Sequence, residues 1–231
     1  MKISKKRTFL LSIFVSLIFL TSFSNINLPE SFGKKHFILG ESSQEIISRA
    51  GGKNSIEDLF KPDAHGIRQV LFAPDDNVLQ VLLFLIENEK TSIRMAAFLL
   101  TEYEVVKSIL NARARGVQVE IVFDSKVVKS KSRKTVRLLV GRGIRVFVYR
   151  PRNKFRQKNI SNIMHNKFIV FGENVFGRNL VWTGSFNFTY SAHKANQENV
   201  VIFDDSTLVK KFSDRFDYLK DKLCFVFKNR R

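Results

Sequence analysis

The chain has a single cysteine, Cys224, in 231 residues, so no disulfide can form within it. A thiolate zinc cluster is excluded for the same reason, while oxidising and reducing compartments are both permitted. Cys224 lies among Leu223, Phe225 and Val226, where a thiol serves as a small apolar side chain. Acidic residues are missing from one long stretch: Lys126 to Gly172 holds fourteen Lys or Arg and no Asp or Glu. A solvated face normally mixes signs, so a one-signed block in a chain of net charge +18 points to a polyanionic partner. Nucleic acid and the headgroups of anionic phospholipid both fit, and charge does not choose between them. No internal repeat is visible, and nothing resembles a second globular domain. The N-terminal apolar run, Phe9 to Leu20, is shorter than the roughly 20 residues of a bilayer span. It follows Lys5, Lys6 and Arg7 and precedes Thr21, Ser22 and Ser24, the order of a signal peptide cut after Ser24. Retention as a membrane anchor is the alternative, since Phe9 to Phe23 is interrupted only by Ser and Thr. The expected location is therefore exported (periplasmic or secreted) or membrane-anchored.

What is present suits one α/β domain with a proper core, at 44% hydrophobic residues. Residues 1–24 read as the leader or anchor. Residues 25–65, with Gly33, Gly40, Gly51-Gly52 and Pro62, read as a loosely structured lead-in with one short helix near Gln44 to Arg49. Residues 66–231 read as the folded domain. Gln69 to Ala73 predicts a strand, followed by a helix capped by Asp75, Asp76 or Asn77 and running through Glu89. Ser92 to Leu99 is an apolar run of strand length. Thr101 and Glu104 form a capping-box pattern ahead of a helix with Val105, Val106, Ile109, Leu110 and Ala112 inward. Val117, Val119 and Ile121 alternate as a strand ending at Asp124, and a helix near Lys134 to Val140 leads through a Gly-Arg-Gly turn to a strand at Ile144 to Tyr149. Strands are also predicted at Ile163 to Phe171, Leu180 to Thr183 and Asn199 to Phe203, with a closing amphipathic helix from Ser206 to Leu223. The alternation implies a mixed, largely parallel β-sheet flanked by helices on both faces.

His165 and Lys167 lie two apart on a predicted strand and so project to one side. A neutral imidazole can attack phosphorus while an adjacent ammonium neutralises a non-bridging oxygen. About twenty residues later, Ser185 and Asn187 in a Gly-Ser-Phe-Asn turn can donate to the remaining phosphoryl oxygens. Glu198 can accept from the second ring nitrogen of His165 and hold its tautomer. Lys167 lowers the pKa of the imidazole and favours its nucleophilic form near neutral pH. Each element alone is common. Their order and spacing on predicted strands make the set specific. No group with metal-ligand spacing accompanies them, so no metal and no cofactor are expected.

The segments Met164 to Phe171, Thr183 to Thr189 and Asn196 to Val201 closely resemble the phospholipase D superfamily, single-motif type. The nearest look is to small bacterial endonucleases and mitochondrial cardiolipin hydrolase-like nucleases. The resemblance extends upstream through Thr91 to Ala97 and Arg115 to Val122, and covers about residues 67–222. It implies the phospholipase D-like fold and a transiently phosphorylated motif histidine, with a second motif histidine protonating the leaving oxygen. Carried over, His165 is the nucleophile, Lys167 and Asn187 hold the phosphate, and Ser185 and Glu198 support them. Two features depart from the pattern. The family motif is His-x-Lys, four residues, then Asp, and Gly172 stands at that last position with Glu173 out of register. The Gly172 to Thr183 connection is also about five residues longer than in the small bacterial nucleases, with a hairpin tip at Gly177-Arg178, and is expected to alter access to the site.

His36, His65 and His193 all lack a lysine two residues on, and His193 is expected to be exposed beside Lys194. One His-x-Lys per chain then implies a homodimer that brings both copies of His165 to its axis. The favoured function is a metal-independent nuclease with little sequence preference, with Arg150, Arg152, Lys154, Arg156 and Lys158 on backbone phosphates. The alternatives are a phospholipase acting on an anionic lipid such as cardiolipin, or a degenerate nucleic-acid or membrane-binding protein. Most of the 23 Phe residues fall in strands or the leader, which core packing explains more simply than lipid contact.

Overall fold

The computed structural model describes residues 55–129, 132–150 and 162–229. Residues 1–54, which hold the segment read as a leader or anchor and most of the lead-in, and the basic residues Arg152, Lys154, Arg156 and Lys158 lie outside the described residues. Eight strands form one sheet: β1 Arg68–Ala73, β2 Ser92–Ala97, β3 Gln118–Phe123, β4 Arg145–Tyr149, β5 Lys167–Phe171, β6 Leu180–Gly184, β7 Glu198–Phe203 and β8 Cys224–Val226. Six helices connect them: α1 Val78–Asn88, α2 Tyr103–Ala114, α3 Ser125–Lys129, α4 Arg133–Gly141, α5 Tyr190–Lys194 and α6 Ser206–Tyr218. The strand order is β1-β7-β6-β5-β2-β3-β4-β8.

The α/β class and the mixed sheet agree with the sequence reading, but the expected balance of directions does not. Only β2 with β3 and β3 with β4 pair in parallel, and the remaining five neighbours are antiparallel. A parallel neighbour requires a crossover that returns the chain to the strand's starting end. That happens through α2 and through α3 with α4. Tyr149 and Lys167 instead lie at the same end of the sheet, so β5 enters beside β2 running the other way. β6 and β7 then follow as antiparallel neighbours, joined across five-residue α5.

Strand alternation divides the core into two layers. Phe168, Val170, Val181 and Phe203 point to one face, where Phe212, Phe216 and Leu219 of the closing helical segment cover them. Ile93, Met95, Ile121, Ile169, Trp182 and Ile202 point to the other face and are fully buried, toward the side covered by α1 and α2. Each fully buried Phe is worth roughly 1.5–3 kcal/mol, so these layers dominate stability. At the end of the lead-in, Glu57–Phe60 forms a single 3-10 turn, and its Leu59 and Phe60 are buried in the same unit.

Local signals were met unevenly. Asn77 precedes α1 without a side-chain cap; Asp76 instead accepts the Phe72 backbone N–H at 2.7 Å. The capping box at Thr101 does not form, because α2 starts one residue later than that pattern requires. Thr101 and Glu102 both donate their backbone N–H to the Phe188 carbonyl, which fixes the approach to the helix from outside it.

Candidate active site

The strand registers place the C-terminal ends of β1, β2, β3, β4 and β6 and the N-terminal starts of β5, β7 and β8 along one edge of the sheet. His165, Lys167, Ser185, Asn187 and Glu198 all fall on that edge. His165 stands two residues ahead of β5, outside the strand expected to carry it, and is exposed. Lys167 opens β5 as the register partner of Ala97 and is buried, at 6% exposure. Its Nζ lies 2.9 Å from Nδ1 and 3.1 Å from Nε2 of His165, and donates to the His165 carbonyl at 2.9 Å. Partial burial first, and the Lys167 ammonium second, hold His165 below the ordinary histidine range. Burial likewise pulls Lys167 below the ordinary lysine range, with Glu198 acting in the opposite sense.

On the other side, Ser185 Oγ donates to Glu198 Oε2 at 2.5 Å and accepts the Asn199 backbone N–H at 3.1 Å. Gly184 makes this approach possible: a Cβ there would collide with the Asn199 carbonyl across β6 and β7. Glu198 Oε1 accepts from Asn196 at 3.0 Å. The hydrogen bonds of Glu198 therefore go to Ser185 and Asn196 and not to His165, and the tautomer-holding role expected of it is not built here. Its nearer effect is on the charge of Lys167. Asn187 Oδ1 is buried with no hydrogen-bond partner among the described residues. Arg150 is exposed at the end of β4, with its guanidinium 5.1 Å from the Phe225 ring centroid. Lys126 and Lys129 of α3, which follows β3 at the same edge, are exposed as well.

A buried carboxylate that the sequence marks only as a strand end braces the His165 segment. Asp124 is fully buried; Oδ2 accepts the Met164 backbone N–H at 2.7 Å, and Oδ1 accepts that of Lys126 at 2.8 Å. The available signal was an acidic residue closing an apolar strand, where a charge needs donors to stay buried. Tyr149 adds a second tether, its hydroxyl donating to Asn162 at 2.5 Å.

His193 is not exposed. Its side chain is 9% accessible and its Nδ1 lies 3.4 Å from Oε2 of equally enclosed Glu102. Burial lowers the pKa of His193 and raises that of Glu102. The contact sets α5 against the entry of α2, although neither atom makes a hydrogen bond among the described residues.

The two departures at the end of β5 prove to be remote from this edge. Gly172 follows Phe171, and β5 covers five residues at about 3.3 Å each, so the β5–β6 connection lies about 16 Å away. The longer hairpin therefore does not border His165, contrary to expectation. A Cβ at Gly172 would collide with Thr91 Oγ1 and Ser92 Oγ. Those residues gather around buried Glu89, whose Oε1 accepts the backbone N–H groups of Thr91, Ser92 and Glu173 at 2.9, 2.8 and 2.9 Å. Asn174 donates to Oε2 at 3.1 Å. A carboxylate thus anchors this end of β5 from the residue that follows α1, where the family motif would bring one from the residue that follows β5.

Among the described residues, no three His, Cys, Asp or Glu side chains come together as metal ligands. The fold and this edge define a phospholipase D-like domain. Residues 82–220 match the family described as "Cardiolipin synthase, PLD-like domain", and the chain belongs to that family. It is 30% identical over 141 residues to a phospholipase D of Rickettsia bellii, covering 61% of this chain and 63% of the relative. It is 28% identical over 144 residues to the mitochondrial cardiolipin hydrolase of Xenopus tropicalis, covering 62% and 61%. The matches span less than two thirds of these relatives' own length. Nuc of Salmonella typhimurium, a phospholipase D family member, superposes with a TM-score of 0.59 at 27% identity, over 70% of this chain and 98% of Nuc. NucT of Helicobacter pylori shares the fold, with a TM-score of 0.62 at 20% identity over 69% and 98%.

Proposed function

We propose that the chain is a phosphodiesterase that cleaves the nucleic-acid backbone with little sequence preference, working as a homodimer. The observation that carries this reading is the Lys167 ammonium held 2.9 Å from the His165 imidazole on an edge flanked by exposed Lys126, Lys129 and Arg150. In the proposed reaction a neutral imidazole nitrogen of His165 forms a bond to phosphorus, and the phosphorus–oxygen bond to one nucleoside breaks. Lys167 and Asn187 neutralise the non-bridging oxygens. Protonated His165 of the second copy gives its proton to the leaving oxygen. Water then attacks the phosphohistidine and loses a proton to that same second imidazole, releasing the other product.

A second reading, hydrolysis of an anionic phospholipid such as cardiolipin, draws on a different observation. Phe72 near the end of β1 and Tyr190 at the start of α5 are 54% exposed. Phe72 pairs with Asn199, next to Glu198. An apolar flank on one side and bases on the other suit an amphiphile. The N-terminal run, read as a signal or anchor, would bring the domain to an export route or a membrane surface.

The deciding assay compares the full chain with His165→Ala in detergent and EDTA, on plasmid DNA, single-stranded nucleic acid and cardiolipin vesicles. Nucleic-acid cleavage lost in the variant supports the first reading, and lipid turnover lost in the variant supports the second. Binding without any turnover leaves a degenerate binding protein. Nucleic-acid affinity should also fall steeply with salt, since about six to ten phosphate contacts lose roughly 10³- to 10⁵-fold between about 50 and 200 mM.

A further inference from the structure

We infer that Phe98 is a positioning residue for the His165–Lys167 pair: its ring is the platform that fixes the imidazole and shelters the ammonium. The inference rests on the reading of His165 as the nucleophile. Phe98 is the first residue beyond β2, whose last residue, Ala97, is the register partner of Lys167. The chain leaves the sheet at that point, so the side chain stands beside the segment that carries His165 instead of joining either core layer. It is half-buried. Its ring centroid lies 4.4 Å from that of His165 at an interplanar angle of 61°, and 5.4 Å from Lys167 Nζ.

Each contact answers a physical need of the site. An exposed histidine outside a strand has free rotation about its side-chain bonds, and attack on phosphorus needs one orientation. A tilted aromatic at this spacing gives a preferred ring geometry without competing for either ring nitrogen. Lys167 has lost most of its water, and an aromatic ring near an ammonium restores part of the lost stabilisation without neutralising the charge. A carboxylate in the same place would do so at the cost of the charge needed for the phosphate.

The test uses full-length wild type, Phe98→Ala and Phe98→Tyr, each checked for folding by circular dichroism and thermal melting. Histidine-selective NMR follows the Cε1 proton of His165, assigned by its absence in His165→Gln, through a pH titration that needs no substrate. In wild type the resonance should carry a ring-current shift and titrate below the ordinary histidine range. Phe98→Ala should lose the ring-current shift, and lose about tenfold or more in kcat with little change in KM. Phe98→Tyr should restore both. An unchanged ring-current shift in a folded Phe98→Ala protein overturns the inference, as does an unchanged kcat. A wild type that turns over no substrate, yet shows the ring-current difference, sinks the nuclease reading and leaves Phe98 as the platform of the pair.

Discussion

Asp124 accepts the backbone N–H of Met164 at 2.7 Å, and so fixes, from 40 residues away, the residue immediately before His165. The contact is fully buried and shares its carboxylate with the start of α3. Asp124→Asn keeps the shape but turns an NH2 group toward one of two N–H donors. A donor left unsatisfied in a buried place costs about 1–3 kcal/mol. Urea unfolding should show a loss of that size, accompanied by lower kcat from a displaced His165. Unchanged stability would mean that the Met164 contact is not maintained in solution.

In the proposed reaction the attacking form of His165 is neutral, so kcat/KM should fall as pH drops through its folded-state pKa. Partial burial and then Lys167 hold that value below the ordinary histidine value of about 6.5. The acid limb assigned to the nucleophile is therefore expected below pH 6.5. Lys167→Met removes a cation that opposes protonation, and the limb should move up. The same substitution removes one partner of the phosphate oxygens, for which a loss of about 10²–10³ in kcat is expected. A limb that moves down in Lys167→Met would contradict the assigned geometry.

The sequence made most elements legible because periodicity is local. The strands at Gln69 to Ala73 and Leu180 to Thr183 and the helix before Gly116 appear within a residue or two of their expected bounds. The placement of the candidate residues was legible too, since His165, Lys167, Ser185, Asn187 and Glu198 fall on one sheet edge. Long-range facts were not. Whether β5 runs with or against β2 depends on where the chain re-enters the sheet, which no window of residues encodes. β8 has three residues and exists through its pairing with β4, so its short apolar run, just past the expected end of the closing helix at Leu223, reads as no element. His193 looked solvated because its neighbours in sequence are polar, whereas Glu102, which encloses it, lies 91 positions away.

Gly172 can be tested by restoring the carboxylate of the family motif. Gly172→Asp must push aside the Thr91 and Ser92 hydroxyls, the first of which donates to Glu89 Oε1, and two carboxylates would then crowd one set of donors. Overpacking of this kind costs roughly 1–3 kcal/mol. The melting temperature should fall, while kcat per folded molecule stays near wild type because the site lies at the other end of β5. Gly172→Asp paired with Glu89→Ala should recover part of the lost stability, since one carboxylate is then relieved of the other. A Gly172→Asp protein as stable as wild type but faster would instead place the motif carboxylate within the chemistry.

The dimer proposal makes a quantitative claim about mixed assemblies. If one reaction needs His165 from both copies, a dimer with one His165→Ala subunit has either no nucleophile or no acid. Co-expression of wild-type and His165→Ala chains in equal amounts, with random pairing, leaves about a quarter of the dimers wholly wild type. Activity per total subunit should then be about a quarter of the wild-type value. Independent sites, each complete within one chain, would give about half. Subunit amounts measured by mass spectrometry on the purified mixture fix the expected value for each preparation. A result that follows the wild-type fraction linearly, not as its square, would show that the acid comes from within the chain, and enclosed His193 would then have to be reconsidered.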